Sequence, residues 1–160
     1  MSYIGAIIII FAAFLIWREY SRYLRGELLG CRAFHRAMED LFDKMKCYLA
    51  SPKEWAKDYK DELLSKSGML DAVRGGEDLL TAYREAKKSI CISQCVDEIL
   101  ESCFSRLGTG YIDTELGMIA ATIEKLSKEE EKAEGELSRK SRAFGAVLGA
   151  FVSGIVILIV

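Results

Sequence analysis

Proline and histidine are nearly absent from this sequence, and basic residues are not in excess. One proline among 160 residues favours long uninterrupted helices, because proline removes a hydrogen-bond donor and clashes inside a helix. The chain has 22 Lys and Arg against 24 Asp and Glu, for a net charge of −2. These charges are interspersed, so no basic stripe is available for a phosphate backbone. We therefore expect an all-α protein that does not bind nucleic acid.

Charge is also absent from both ends of the chain. All 46 charged side chains (22 plus 24) lie between Arg18 and Arg142. The runs Tyr3–Trp17 and Ala143–Val160 contain no charged residue and are apolar apart from Ser153. As helices they would be roughly 22 and 27 Å long, against a hydrocarbon core of about 30 Å. No Lys or Arg precedes the first run, which favours a retained anchor over a cleaved signal peptide.

The apolar ends divide the chain into three predicted segments. We predict transmembrane helices over residues 1–17 and 143–160. Residues 18–142 are predicted to form a small cytosolic helical bundle with an antiparallel neck. Lys and Arg flank both apolar runs on the inner side only. This distribution predicts a two-pass protein of the cell membrane, with its middle in the cytosol and both termini outside.

Helix boundaries in the middle segment follow from capping residues and glycines. Ser51, Pro52 and Glu54 predict a helix start with a capping box, and this helix is expected to end near Gly68. Asp113 is predicted to cap the last helix. Apolar residues at steps of three and four from Trp17 to Met45 predict a helix that continues directly out of the first span. The other predicted helices cover residues 69–74, 77–88, 89–107 and 113–160.

The five cysteines are an odd number without a paired framework, so we predict reduced thiols. Cys91 and Cys95 are four residues apart on one predicted helix face, with Cys103 further along. A structural zinc site needs four ligands, and the only histidine, His35, lies on another helix. We therefore predict that these thiols pack in the core, as cysteine often does.

Residues with catalytic potential form no recognisable constellation. No neighbour in the sequence orients His35, and the consecutive Glu129, Glu130 and Glu131 point around a helix, which predicts a solvated face. The glycine pairs lack the Lys-Ser/Thr of a phosphate-binding loop. We predict no catalytic residue, no metal, no cofactor and no small-molecule substrate, and hence no enzyme activity.

The last predicted helix contains one interaction signal. Gly145 and Gly149 form a GxxxG pair, and Gly154 extends the small-residue spacing from Ala150. Small residues at this spacing let another helix approach closely within a membrane. We predict helix packing at Gly145, Gly149 and Gly154, against the first span or another subunit.

The order of features along the chain resembles a known family. The Ser51-Pro52 helix start, the Leu107-Gly108 break and a long charged helix running into FGAVLGAFVSGIVILIV are together similar to the stage III sporulation protein AB family. The resemblance implies a fold like the F-domain, the cytosolic helical domain of the type II secretion and type IV pilus platform protein. It also implies a place in the mother-cell membrane facing the forespore, within the channel complex that links the two cells. The implied partners are a secretion-type ATPase, the family's AA protein, and the other subunits of that complex.

Three functions are compatible with these features. The first is a membrane platform or assembly subunit that couples the cytosolic ATPase to a trans-envelope complex during endospore formation. The second is a small pore-forming, holin-like protein, although neither apolar run has a polar stripe to line water. The third is a membrane-tethered adaptor for a soluble partner.

Overall fold

The computed structural model describes residues 2–108 and 110–159, without the side chains at 2–6, 9–10, 148, 151–153 and 155–159. The described residues form helices joined by short connections and contain no strand. This confirms the predicted all-α class. In chain order the helices are α1 (Ser2–Tyr48), α2 (Pro52–Asp58), α3 (Glu62–Lys66), α4 (Met69–Gly75), α5 (Leu79–Ala86), α6 (Gln94–Phe104) and α7 (Ile112–Ile159).

The chain divides into two compact units. One contains the residues up to Arg25 and those from Ala133 onward, and the other is Gly26–Lys132. Both long helices contribute to each unit. In the first unit α1 and α7 are in contact, with the Trp17 and Phe144 rings stacked at 4.3 Å between centroids. The second unit, here called the bundle, contains α2 to α6 and the adjoining parts of α1 and α7.

The start of α2 has the predicted cap. Ser51 accepts a hydrogen bond from the Glu54 backbone N–H, and the Glu54 side chain accepts one from the Ser51 N–H in return. Pro52 occupies the first turn. The predicted single helix up to Gly68 is nevertheless wrong. It is broken after Asp58, because Asp61 caps a separate α3 by accepting from the Leu64 N–H at 2.9 Å.

Three other helix starts differ from the prediction. α5 begins at Leu79, two residues later than predicted, because Asp78 caps it through the Thr81 N–H. α6 begins at Gln94, five residues later than predicted, because Ser93 caps it through the Val96 N–H. α7 begins at Ile112, and the Tyr111 carbonyl accepts from the Thr114 and Glu115 N–H groups. Tyr111 therefore holds the capping position that was predicted for Asp113.

The core of the bundle is formed by all seven helices. Its largest fully buried side chains come from the long α1 and α7 as well as from the short helices, and include Phe34, Trp55, Tyr83, Leu100 and Leu126. The Trp55 indole N–H donates to Asp40 Oδ2 at 2.9 Å, so its polar group is satisfied despite burial. The short helices thus pack on a scaffold made by α1 and α7.

Within the described part of the chain, none of the helices has the length and hydropathy that crossing a membrane requires. Many side chains of the two predicted membrane segments lie outside the described residues. The described residues therefore give those two segments no support, and the three predicted segment boundaries stay predictions.

Candidate functional site

The glycines predicted to pack against another helix lie in the C-terminal part of α7. A Cβ added at Gly145, Gly149 or Gly154 would meet no heavy atom of the described residues within 4 Å. The side chains at 151–153 and from 155 onward lie outside the described residues. Helix packing at these glycines therefore stays a prediction.

The cysteines are not all buried in the core, although core packing is predicted for Cys91, Cys95 and Cys103. Cys31 and Cys103 are buried, whereas Cys91 is half-buried and Cys95 is exposed, so core packing was wrong for Cys95. Because α6 starts at Gln94, Cys91 lies before the helix and not on one face with Cys95. Burial, with Glu130 and Glu129 nearby, raises the pKa of the Cys31 thiol to about 11. Among the described residues, no group of three or more His, Cys, Asp or Glu side chains is placed to hold a metal ion.

Glu130 joins α7 to α1 inside the bundle. Arg32 Nε donates to its Oε1 at 2.7 Å, and His35 Nδ1 lies 2.9 Å from its Oε2. Glu130 is mostly buried, so the predicted solvated face was wrong for this residue, and His35 does have a partner that orients it. Burial acts to raise the pKa of Glu130, but the hydrogen bonds from His35 and Arg32 outweigh it and leave the pKa lowered.

Replacing Glu130 with glutamine is expected to lower the free energy of unfolding by about 1–2 kcal/mol at pH 7, because it weakens charge-assisted hydrogen bonds. A carboxylate with a lowered pKa stabilises the fold above its unfolded pKa, near 4.5, and this contribution is lost as pH falls through the folded pKa. The free energy of unfolding of the wild type, measured with denaturant from pH 7 to pH 3, should therefore fall as the pH is lowered. In Glu130→Gln this fall should be smaller. Glu131→Gln, at the exposed neighbouring position, should match the wild type. If the free energy of unfolding of Glu130→Gln falls as much as that of the wild type, the prediction is contradicted.

A second polar network joins α5 to α6. The hydroxyl of Tyr83, whose side chain is fully buried, donates to Asp97 Oδ1 at 2.5 Å. Lys87 Nζ donates to both Asp97 carboxylate oxygens at 3.0 Å. Burial and then the Asp97 carboxylate raise the pKa of the Tyr83 phenol above its ordinary range. This network satisfies a buried hydroxyl and holds the phenol protonated.

Two glycines let the α5–α6 connection lie against α1. A Cβ at Gly30 would lie 2.3 Å from the Cys91 carbonyl oxygen and 2.9 Å from Ile92 Cγ2. A Cβ at Gly26 would lie 3.2 Å from Cys91 Cβ. Both glycines are inside a helix, where glycine costs up to about 1 kcal/mol relative to alanine. Their spacing of four residues places both on one face of α1, which is a sequence signal of close backbone approach.

One end of the bundle exposes large apolar side chains. Tyr48 ends α1 with its side chain 75% exposed, and Leu49 follows it, 73% exposed. Tyr111, before α7, is also exposed. Cys31 of α1 contacts Leu126 of α7. Tyr48 lies roughly 25 Å beyond Cys31 in the forward direction of α1, and Tyr111 lies roughly 22 Å before Leu126 on α7. Because the helices are antiparallel, these residues lie at the same end, and we call Tyr48, Leu49 and Tyr111 the apolar tip.

The backbone of Leu49 is strained. Its φ of +53° is left-handed, where a side chain other than glycine costs roughly 1–2 kcal/mol. The Leu49 and Ala50 N–H groups donate to the carbonyls of Met45 and Lys44, so Leu49 holds the helix-ending position that glycine usually occupies. A groove of about 340 Å³ opens beside Tyr48, lined in part by Glu54 and Trp55. The tip therefore combines exposure, strain and an adjoining recess.

No curated protein and no solved structure matches the chain. The family described as stage III sporulation protein AB (spore_III_AB) matches residues 2–160, which is almost the entire sequence. The chain therefore belongs to the stage III sporulation protein AB family, and this membership implies a role in stage III of sporulation.

Proposed function

We propose that this protein is a membrane platform subunit of a trans-envelope channel complex in endospore formation, and that its bundle couples a cytosolic secretion-type ATPase to the complex. Family membership supports the sporulation role. The F-domain likeness of the bundle and the ATPase partner come from the sequence resemblance and are part of the proposal. No chemical reaction is assigned to the protein, which acts by docking.

The membrane placement is supported by the sequence at the two ends. Tyr3–Trp17 and Ala143–Val160 contain no charged residue, and Lys and Arg flank them on the inner side only. In the proposal these segments anchor the protein in the mother-cell membrane facing the forespore, with the bundle in the cytosol. Gly145, Gly149 and Gly154 would then pack against the first span or a neighbouring subunit.

The apolar tip is the observation that carries the docking role. Leu49 keeps a large exposed side chain at a position where glycine would relieve backbone strain. Strained backbone and exposed apolar side chains are both features of binding sites. Tyrosine is also among the residues that contribute most to binding energy at protein interfaces. We therefore assign the ATPase contact to the tip.

The test uses the full chain in detergent and the secretion-type ATPase of the same organism, with binding measured by titration with and without nucleotide. Leu49→Gly is expected to raise the free energy of unfolding by about 1 kcal/mol, because it relieves the positive φ. The same substitution should weaken ATPase binding about tenfold, because it removes an apolar side chain that the interface would bury. Tyr48→Ser should weaken binding to a similar extent.

Leu29→Ser is the matched control, since Leu29 is also an exposed leucine of the bundle but lies away from the tip. It should leave binding unchanged. If Leu49→Gly is stabilised but binds as the wild type does, the tip is not the docking site. If the folded wild type does not bind the ATPase at all, the coupling role is wrong, and the adaptor and pore-forming alternatives take its place.

A further inference from the structure

Arginines surround the helix pair next to an aromatic stack. In the unit that contains both chain ends, the Trp17 and Phe144 rings stack with an interplanar angle of 10°. Lys140 Nζ lies 5.5 Å from the centroid of the Tyr20 ring. These two contacts identify the faces of α1 and α7 that meet. The arginines next to these contacts, here called the arginine collar, are Arg18, Arg22, Arg25, Arg139 and Arg142.

The collar points away from the contact between the two helices. At 100° per residue, Arg18, Arg22 and Arg25 share one face of α1, roughly opposite the face of Trp17 and Tyr20. Arg139 and Arg142 are likewise turned away from the face of α7 that carries Lys140 and Phe144. All five arginines are exposed. The guanidinium groups are therefore directed outward on both sides of the helix pair.

The positive charge of the collar is only partly neutralised locally. Arg18 and Arg22 share one carboxylate partner, Glu19, with Arg18 Nη2 at 3.8 Å. Between residues 18–25 and 133–142 there are six Lys and Arg and three Glu, a difference of +3. Arg22 pairs with Glu19 at 3.2 Å, with both side chains mostly exposed. Arg142 donates to the hydroxyl and carbonyl oxygens of Ser138. Within the described residues, Arg25 and Arg139 form no ion pair.

We propose that the arginine collar binds the headgroup phosphates of anionic phospholipids in the leaflet that faces the bundle. This inference rests on the membrane placement proposed above. Arginine binds phosphate through two parallel hydrogen bonds, and clustered cations beside a membrane helix attract anionic lipid. From Arg18 to Arg25 the collar is roughly 10 Å deep, comparable to a headgroup layer of about 5–7 Å. The adjoining aromatic stack suits the membrane interface.

The test measures quenching of Trp17 fluorescence by brominated lipid in vesicles that contain the full chain. Brominated phosphatidylglycerol and brominated phosphatidylcholine are compared at equal mole fraction, at low salt and in 1 M NaCl. A Trp17→Phe variant gives the emission of the buried Trp55 for subtraction. We expect roughly fivefold enrichment of phosphatidylglycerol near Trp17 at low salt, and its loss in 1 M NaCl through screening.

The collar variant carries glutamine at Arg18, Arg22, Arg139 and Arg142 and should show no lipid preference. The matched control carries glutamine at four exposed lysines of the bundle, which are Lys53, Lys57, Lys60 and Lys125. It changes net charge equally and should keep the preference. Equal quenching by both lipids in the wild type would overturn the collar proposal while leaving the membrane placement intact. Absence of quenching by either lipid would overturn that placement, and the collar proposal with it.

Discussion

Replacing Gly30 with alanine is expected to lower the free energy of unfolding of the bundle by about 3 kcal/mol. Alanine at an ordinary helix position would be favourable by up to about 1 kcal/mol relative to glycine. Here the new methyl group would lie 2.3 Å from the Cys91 carbonyl oxygen. That atom belongs to the backbone, so relief requires the whole α5–α6 connection to move off α1. The loss in the free energy of unfolding is measured by denaturant unfolding of the full chain, with the fluorescence of Trp55 as the readout.

Gly117→Ala is the matched control for this substitution. Gly117 is also inside a helix of the bundle, but a Cβ there meets nothing within 4 Å. We expect it to raise the free energy of unfolding by about 0.5–1 kcal/mol. The two substitutions are chemically identical. Changes of opposite sign in the free energy of unfolding would therefore be due to the close backbone approach at Gly30. Equal effects of both would show that the α5–α6 connection does not contact α1 as described.

Replacing Tyr83 with alanine is expected to lower the free energy of unfolding by about 4 kcal/mol, in the range of large aromatic truncations. The ring is fully buried and packs edge-on against Phe34 at 5.4 Å between centroids. Its loss leaves a cavity at the centre of the core and removes the hydroxyl that donates to Asp97. Denaturant unfolding gives the free energy.

Tyr83→Phe separates the two contributions of this side chain. It keeps the ring and removes only the hydroxyl, so we expect a loss of about 2 kcal/mol for a hydrogen bond to a charged group. Tyr111→Ala, at the exposed tip, should change stability by less than about 0.5 kcal/mol. A Tyr83→Phe variant as stable as the wild type would show that the bond to Asp97 does not stabilise the bundle.

Features encoded by neighbouring residues could be predicted from the sequence. Ser51 and Glu54 identify the start of α2, because a capping box lies within four consecutive residues. The long α7 follows from sustained helical periodicity without proline. The break between α2 and α3 had a signal of the same kind, since Asp61 is a favourable N-cap residue. It was missed because the apolar spacing from Trp55 to Leu64 continues across the break.

Features that join distant parts of the chain could not be predicted in this way. Glu130 contacts Arg32 and His35, which lie 98 and 95 residues away. Its spacing from Leu126 and Ala133 places it on the apolar stripe of the last helix, but this spacing does not identify partners on α1. The predicted burial of Cys95 was wrong because the buried face of α6 is centred on Val96, Leu100 and Cys103, and at 100° per residue Cys95 lies beside this face and not on it. The exposure of Leu49 could not be predicted, because leucine is common both in protein cores and on protein surfaces.

The packing of α7 against α1, which is far from it in the sequence, affects how the bundle forms during synthesis. Ile119 and Leu126 are fully buried in the same core as Phe34 and Leu41 of α1, yet they leave the ribosome some 85 residues later. The contacts among α2, α3, α4, α5 and α6 are mostly between near neighbours in the sequence and form quickly by comparison. Until α7 emerges, the nascent chain exposes the apolar face of α1 that α7 covers in the bundle. Chaperones and proteases therefore have access to this face in the interval between the synthesis of α1 and that of α7.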